Sequence, residues 1–275
     1  MTNSSSLYIE ADSFFHRLNP TVKLIMFILW LITVFMFLDL RISLGLLIGG
    51  AILLKFAAIP FTTIRNLFVA VIAFNLINAG FILLLASNYG VTLSGNSHIL
   101  ANLWGYKIYS ATAMYVLVIS LKYLSLLPLT LIFIFTTHPS KFAASLNNVG
   151  VPYKFAYTLN LMFRYFPEIQ HEFVTISQAQ AMRGFSYGKE EKSRLKRIRN
   201  LFNTTIPLLN TSLEKIERIA NAMELRSFGK LPRRTWYNSV LMKLSDWITL
   251  LIAISIFAGF LYIRFKLNHQ LYLAL

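Results

Sequence analysis

Two arginines in the C-terminal half of the chain have closely similar surroundings. Arg183 lies in residues 179–185, AQAMRGF, and Arg226 lies in residues 221–229, NAMELRSFG. An arginine stays charged at every relevant pH, and its planar guanidinium can pair with a carboxylate through two hydrogen bonds or donate to carbonyl groups. The small residue after each arginine allows a partner backbone to approach, and the phenylalanine beyond it is a typical interface anchor. The sequence therefore predicts two matched binding elements, which comprise Met182, Arg183, Gly184, Phe185 and Leu225, Arg226, Ser227, Phe228.

Each arginine also has an intramolecular interpretation. It could contact a phosphate at a membrane surface or pair with a glutamate of its own chain, among Glu168, Glu172, Glu217 and Glu224. The repetition of the whole pattern favours an external partner over two separate internal pairs. Removing one arginine from a buried ion pair typically costs about 3–5 kcal/mol, which is enough to uncouple a complex.

Recognised catalytic and metal-binding patterns are absent from the sequence. There is no phosphate-binding G-x-x-x-x-G-K-[ST] loop, so ATP would have to be hydrolysed by another protein. There is also no G-x-S-x-G or H-E-x-x-H pattern, and no cysteine is available as a nucleophile or thiolate ligand. The histidines do not fall at ligand spacing on a helix; they are His16, His98, His138, His171 and His269. We predict no catalytic residue, no metal site and no cofactor.

The composition is that of a membrane protein. Hydrophobic residues make up 56% and charged residues 13% of the chain, and the mean hydropathy is +0.58. A helix needs roughly 17–25 apolar residues to cross a bilayer. Five segments qualify: 21–38, 42–56, 64–86, 109–136 and 244–262. The fourth contains Lys122 and Pro128, and it is either strongly tilted or broken near the proline.

The basic residues predict how the chain is oriented. Residues 138–243 hold 17 of the 26 lysines and arginines but 7 of the 11 acids, which is typical of a cytoplasmic segment and less so of a nucleic-acid-binding one. We expect five crossings, with the N-terminus inside and the C-terminus outside, and residues 88–102 as an external loop. Lys122, the clear charge within a span, is expected to anchor a helix through a carbonyl or a carboxylate.

Helices must position the two arginines. Apolar residues recur every three or four positions after Pro167 and after Pro207, so each proline is expected to open an amphipathic helix of about 25 Å. Shorter helices are predicted at 139–149, ended by Gly150, and at 153–164. The basic residues 188–200 are expected to form a solvated link that also meets anionic headgroups. The spacing of Gly45 and Gly49 would allow close helix approach.

Several short motifs follow one another along most of the chain. They are His16, Arg17, Leu18, Asn19, Pro20, Lys23 and Leu24; Thr136, Thr137, His138 and Pro139; Gly150, Val151 and Pro152; Arg164, Tyr165, Phe166, Pro167, Glu168 and Glu172; and the residues leading to Arg183 and to Arg226. In this order and spacing the chain resembles the transmembrane, or T, component of energy-coupling factor (ECF) transporters, a vitamin and metal uptake branch of the ABC superfamily.

The resemblance implies a role for both arginines. Members of that family have two Ala-Arg-Gly signatures at the ends of long coupling helices, and the arginines dock in grooves on two ATP-hydrolysing subunits. This chain keeps both arginines but has Met182 and Leu225 in place of the alanines and Ser227 in place of the second glycine. The larger residues indicate a matched ATPase pair, and the unequal triplets indicate two different grooves.

The sequence as a whole predicts an all-α polytopic membrane protein with about five transmembrane helices and long amphipathic cytoplasmic coupling helices. Residues 1–136 would form a four-span bundle, 137–243 the coupling region and 244–275 a final span. The expected partners are two ATP-binding cassette ATPases, one small substrate-binding membrane subunit and the lipid bilayer, without nucleic acid. The alternative is a membrane anchor that recruits a cytoplasmic complex without transport. A membrane-embedded lipid-modifying enzyme lacks any catalytic constellation here.

Overall fold

A computed structural model describes residues 8–9, 11–86, 89–94, 99–103, 106–185, 193–231, 235–236 and 242–266. The chain divides into a membrane unit, within Ser6–His138 and Val240–Leu275, and a second unit within Pro139–Ser239. The elements, in chain order, are α1 Phe14–Arg17, α2 Pro20–Met36, α3 Leu40–Phe56, α4 Phe61–Leu85, α5 Tyr89–Ser94, β1 Ile99–Leu103, β2 Tyr106–Tyr109, α6 Ser110–Thr136, α7 Pro139–Asn148, α8 Tyr153–Met182, α9 Arg194–Leu225 and α10 Leu244–Lys266.

The prediction of an all-α polytopic membrane protein is confirmed. Each of the five predicted spans coincides with a helix of the membrane unit. Within the described residues, α4, α6 and α10 are long and apolar enough to cross a bilayer, while α2 and α3 have 17 residues each. Seventeen residues lie at the lower limit of about 17–25 for a crossing helix.

Contacts between helices give the relative directions of α2, α6 and α10 in the membrane unit. Lys23, in the first turn of α2, contacts Thr136 at the end of α6, so these two helices are antiparallel. α10 instead runs parallel to α2, because the Asn19 backbone meets Asp246 at one end and Phe37 meets Phe260 at the other. The chain therefore leaves this unit after α6 and returns before α10 at the same end.

α6 is one continuous helix with Pro128 in its interior, which answers the question left open by the sequence. The helix is tied on both sides near the proline: the Ser125 hydroxyl donates to the Ser43 carbonyl at 2.9 Å, and Trp30 Nε1 donates to the Ser125 carbonyl at 2.9 Å. A Cβ on Gly50 would lie 2.9 Å from the Pro128 ring, so this glycine allows α3 to approach α6.

Two local expectations for the membrane unit are not met within this chain. Gly45 and Gly49 have nothing within 4 Å of an added Cβ, so the close approach of α3 to α6 uses Gly50 rather than the spaced pair. Residues 88–102 were expected to be a loop, yet their described part contains α5 and most of β1, which pairs antiparallel with β2. Elements of four to six residues are too short for hydropathy to predict.

The second unit differs from its expected layout because its prolines lie inside helices. α8 has 30 residues with Pro167 in its interior, and α9 has 32 residues with Pro207 in its interior, so neither proline opens a helix. At about 1.5 Å per residue these helices are about 45 and 48 Å long, against the expected 25 Å. An interior proline costs roughly 3 kcal/mol, so packing rather than local propensity must stabilise each helix through its proline, and α8 and α9 do contact each other.

The predicted link at residues 188–200 is only partly within the described residues. Its part from Arg194 onward is the first two turns of α9 rather than a link, and residues 188–192 lie outside the described residues. Its arginines, lysine, leucine and isoleucine are all compatible with a helix, which a charge-based interpretation overlooked. The short helix predicted at 139–149 is confirmed as α7, which is followed by Gly150 at φ +109°.

Candidate functional site

The end of α8 is closed by two reversed backbone hydrogen bonds. Phe185 N donates to the Gln180 carbonyl and Gly184 N to the Ala181 carbonyl, both at 2.9 Å. This is a Schellman motif, in which Arg183 is the last residue with near-helical backbone and the next residue is left-handed. Gly184 has φ +85°, a conformation that glycine adopts without steric cost.

The end of α9 repeats the same arrangement. Phe228 N donates to the Met223 carbonyl and Ser227 N to the Glu224 carbonyl, again at 2.9 Å each. Ser227 has φ +55° and therefore occupies the left-handed position of Gly184 with a side chain present. The two predicted binding elements thus share one backbone conformation, with each arginine at the same position of the turn.

This geometry gives the small residue and the phenylalanine a local role that sequence reasoning missed. The small residue ends the helix by turning left-handed, and the phenylalanine donates its backbone N–H in the closing hydrogen bond that spans more residues. The spacing of arginine, small residue and phenylalanine after an amphipathic helix was the signal that could have revealed the motif.

The side chains just before the turn project outward. Met182 is 85% exposed and Leu225 is 88% exposed, and both arginines are also exposed. Each of these large apolar side chains makes little contact with the rest of the protein, and each precedes an arginine directly in the sequence. The two helix ends therefore present the same pair of features, a cation and an apolar side chain, away from the fold.

Two of the four glutamates considered as intramolecular partners of the arginines form salt bridges with a lysine instead. Lys215 of α9 forms salt bridges with Glu168 and Glu172 of α8, at 2.8 and 2.5 Å. The hydrogen bond to Glu168 and then that to Glu172 raise the pKa of Lys215. Within the described residues Arg183 forms no salt bridge. The charged triad instead joins the two long helices to each other.

The two phenylalanines differ in their surroundings. Phe228 lies 4.7 Å from Tyr157 and 5.6 Å from Tyr153, measured between ring centroids, and Tyr153 also contacts Trp236. Phe185 is 38% exposed. The second helix end is thus built into an aromatic cluster of its own unit.

Both long helices carry apolar stripes that face outward. Successive members of the α9 stripe are three or four positions apart, and those of the α8 stripe are three, four or seven apart, as on one helical face. The stripes comprise Phe155, Met162, Phe166 and Ile169 on α8, and Leu195, Ile198, Phe202, Ile206, Leu209, Leu213 and Ile216 on α9. All of these side chains are exposed, whereas α9 buries the polar Asn200 and Thr204. A water-facing helix has the opposite pattern, so these stripes are surfaces for other apolar material.

Comparison with known proteins gives a consistent result. Residues 11–237 match the family described as cobalt transport protein, CbiQ. The chain belongs to this family. It is also 26% identical over 266 residues to the energy-coupling factor transporter transmembrane protein EcfT of Bacillus selenitireducens, covering 94% of this chain and 96% of the relative. The EcfT proteins of Lactococcus lactis and Bacillus subtilis are 25% and 24% identical, over 85% and 93% of this chain and 87% and 95% of theirs.

This family member is a transmembrane component of an energy-coupling factor transporter, a transport subunit of the cell membrane rather than a catalytic one. The resemblance stated from its motifs is therefore confirmed. Among the described residues no group of three histidine, aspartate or glutamate side chains could hold a metal ion.

The motif at residues 16–24 of this ECF component has a structural role. Asn19 caps α2 by accepting from Thr21 N at 2.9 Å, and its own backbone N donates to the buried Asp246. Lys23 is also buried, and its ammonium donates to the Thr136 carbonyl at 2.7 Å, at the negative end of the α6 dipole. These contacts fasten α2, α6 and α10 together where the chain leaves and re-enters the membrane unit.

Lys122 has the anchoring role expected from the sequence. Its ammonium donates to the Phe35 carbonyl at 3.3 Å and lies 5.2 Å from the centre of the Phe35 ring. Because α2 ends at Met36, this contact supplies a donor to one of the carbonyls that the last turn leaves without a helical partner.

Proposed function

We propose that this chain couples two ATP-hydrolysing subunits to a separate substrate-binding membrane subunit, and transmits ATP-driven motion between them for micronutrient uptake. The repeated helix end carries this proposal: one backbone turn occurs twice, and each copy exposes an arginine beside a large apolar side chain. Two equal elements suit two similar partners. The membership in the transporter family supports ATPases as those partners.

Each arginine would pair with acceptors in a groove of one ATPase. The guanidinium fork suits a carboxylate or several carbonyls, and Met182 or Leu225 beside it would fill an apolar recess. The Schellman turn fixes the backbone, so little conformational entropy is lost when the arginine docks. The different residues at Gly184 and Ser227 suit two non-identical grooves.

The two long helices would transmit the motion. ATP binding draws the two ATPases together, and the helix ends that they hold move with them. The salt bridges from Lys215 to Glu168 and Glu172 brace α8 against α9, and the exposed stripes would grip the substrate-binding subunit. ATP must favour one arrangement of the helices over another for this coupling to work.

We also propose that the N-terminus is cytoplasmic and the C-terminus external. With five alternating helices, the chain enters and leaves the second unit from one end of the membrane unit, and that second unit holds most of the lysines and arginines. The positive-inside rule then supports a cytoplasmic location for that unit.

Co-purification from the native membrane tests the function. We expect a tagged chain to recover ATPase subunits and a small membrane protein, as identified by mass spectrometry. The variant Arg183→Ala with Arg226→Ala should lose the ATPases and keep the membrane protein. The matched control Arg164→Ala with Arg218→Ala removes the same charge from the same two helices, away from their ends, and should lose neither.

A second variant separates the two kinds of partner. Leu209→Ser with Leu213→Ser makes the exposed stripe of α9 polar and should release the membrane protein while the ATPases remain. ATP-dependent uptake should fail in both variants. Recovery of the same partners regardless of the arginines would contradict the proposal, and bound ATPases without uptake in the unaltered protein would favour the membrane anchor.

A further inference from the structure

The first part of α9, residues 194–202, combines exposed apolar side chains with a cluster of cations; we call it the basic end of α9. Leu195, Ile198 and Phe202 lie on one face at helical spacing and are 82, 55 and 62% exposed. Fully burying such a side chain is worth about 1.5–3 kcal/mol, so leaving all three in water is costly. Binding of another apolar surface to this end of the helix would therefore be favourable.

Two of the cations of this segment, Arg194 and Arg199, lie beside this apolar face. Lys196 and Arg197 lie farther round the helix but are exposed as well, and no acidic residue occurs between positions 193 and 213. At about 100° per residue, Arg194 and Arg199 flank the apolar face, each about 40° beyond one of its edges. Long basic side chains at such positions can reach past an apolar boundary to a layer of phosphates.

The opposite face packs against the protein. Asn200 and Thr204 are buried, and the Thr204 hydroxyl donates to the Asn200 carbonyl at 3.1 Å. A rotation of the helix about its axis would not bury the apolar face, because it would expose the buried Asn200 and Thr204. The cover of the apolar face must come from outside the chain's own unit.

We propose that the basic end of α9 is an interfacial helix that binds the surface of an anionic phospholipid bilayer. The apolar side chains enter the boundary between headgroups and acyl chains, and the cations contact lipid phosphates. A basic, strongly amphipathic helix is the kind of element that binds in this way, and each lysine or arginine near such a surface adds about a fivefold preference. The binding does not depend on the proposed ATPases or the substrate subunit.

The later part of the same stripe is surrounded by acidic rather than basic residues. This difference in charge indicates which part of the stripe lipid covers and which part a protein covers. Around Leu213 and Ile216 the neighbouring charges include Glu214 and Glu217, and Lys215 is already paired with two glutamates. An anionic surface would be repelled there. Lipid therefore covers the basic end, while the later part of the stripe remains available to a protein.

The chain has no cysteine, so one introduced cysteine reports on one position. Leu195→Cys would carry a nitroxide label in the full-length protein, reconstituted alone in nanodiscs of phosphatidylcholine with about a third phosphatidylglycerol, or of phosphatidylcholine only. Collision with a water-soluble nickel complex and with oxygen measures exposure to water and to lipid. We expect the anionic discs to lower the nickel collision rate several-fold and to raise that of oxygen.

Two comparisons keep the test specific. The label at Leu213→Cys, on the same stripe five turns later, should respond equally in both discs. Replacing Arg194, Lys196, Arg197 and Arg199 by glutamine keeps good helix formers, which circular dichroism will check. It weakens the electrostatic attraction by up to about several hundredfold. The Leu195 label should then stay exposed to water in both discs.

Three outcomes would overturn the inference: equal water exposure of the Leu195 label in both discs, shielding that ignores lipid charge, or shielding that appears only when partner subunits are added. The last would assign the basic end to a protein partner. None of these depends on transport, so the proposed coupling function could stand while the lipid inference fails.

Discussion

The ends of α8 and α9 share the same backbone hydrogen bonds but are stabilised in different ways. The first uses Gly184 at the left-handed position and leaves Phe185 partly exposed, whereas the second has Ser227 at that position and packs Phe228 among aromatic rings. The first end owes its conformation to glycine and the second to packing. Despite this difference, both ends expose an arginine at the same position of the turn, which supports the proposal that both arginines bind a partner.

Removing each phenylalanine should show this difference most strongly. Phe228→Ala would lose contacts with Tyr157 and Tyr153 and lower the stability of the second unit by about 2–3 kcal/mol. Phe185→Ala should cost less than about 1 kcal/mol, because its side chain is already partly in water. Thermal unfolding in detergent, followed by tryptophan fluorescence, measures both. Equal losses would show that the aromatic cluster does not hold the second turn.

Adding a Cβ to the first turn should have the next largest effect. Gly184→Ala places a side chain at φ +85°, where it costs about 1–2 kcal/mol although the surrounding space is open. The matched change Ser227→Ala keeps a Cβ at the left-handed position and should be nearly neutral. Unfolding midpoints of the two variants measure the contrast, and a neutral Gly184→Ala would contradict the claim that the left-handed position of this turn requires glycine.

The reverse change should produce the smallest effect. Ser227→Gly relieves the left-handed serine but makes the unfolded chain more flexible, so a net gain of about 0.5–1 kcal/mol is expected. ATPase binding should be unchanged, because the arginine keeps its position. A loss of stability in the same unfolding experiment would mean that the serine side chain contributes something beyond its backbone conformation.

The sequence predicted the membrane helices well because continuous apolar runs are a local signal. It also predicted correctly that each arginine lies at the end of a helix and that a helix ends just before Gly150. It failed at Pro167 and Pro207, because a proline restricts the local backbone but longer-range packing decides whether the helix continues. It also missed the helical start of α9, where the charges suggested a link.

Contacts between distant residues could not be predicted either. Asp246 meets the backbone of Asn19 across 227 positions of sequence, and nothing in the local pattern of α10 indicates this partner. The outward direction of the apolar stripes was likewise invisible, because periodicity shows that a helix has an apolar face without showing what that face contacts. The left-handed conformation of Ser227 could not be predicted, because serine rarely adopts a positive φ and nothing local in the sequence indicates it.

The most direct test of the central claim is the affinity of the purified ATPase pair for the chain in nanodiscs. If each helix end docks one ATPase through its arginine, Arg183→Ala and Arg226→Ala should each raise the Kd by about thirtyfold or more, and Arg218→Ala should leave it nearly unchanged. An unchanged Kd in both single variants and in their combination would contradict the account, because the repeated turn would then present its arginines to no ATPase.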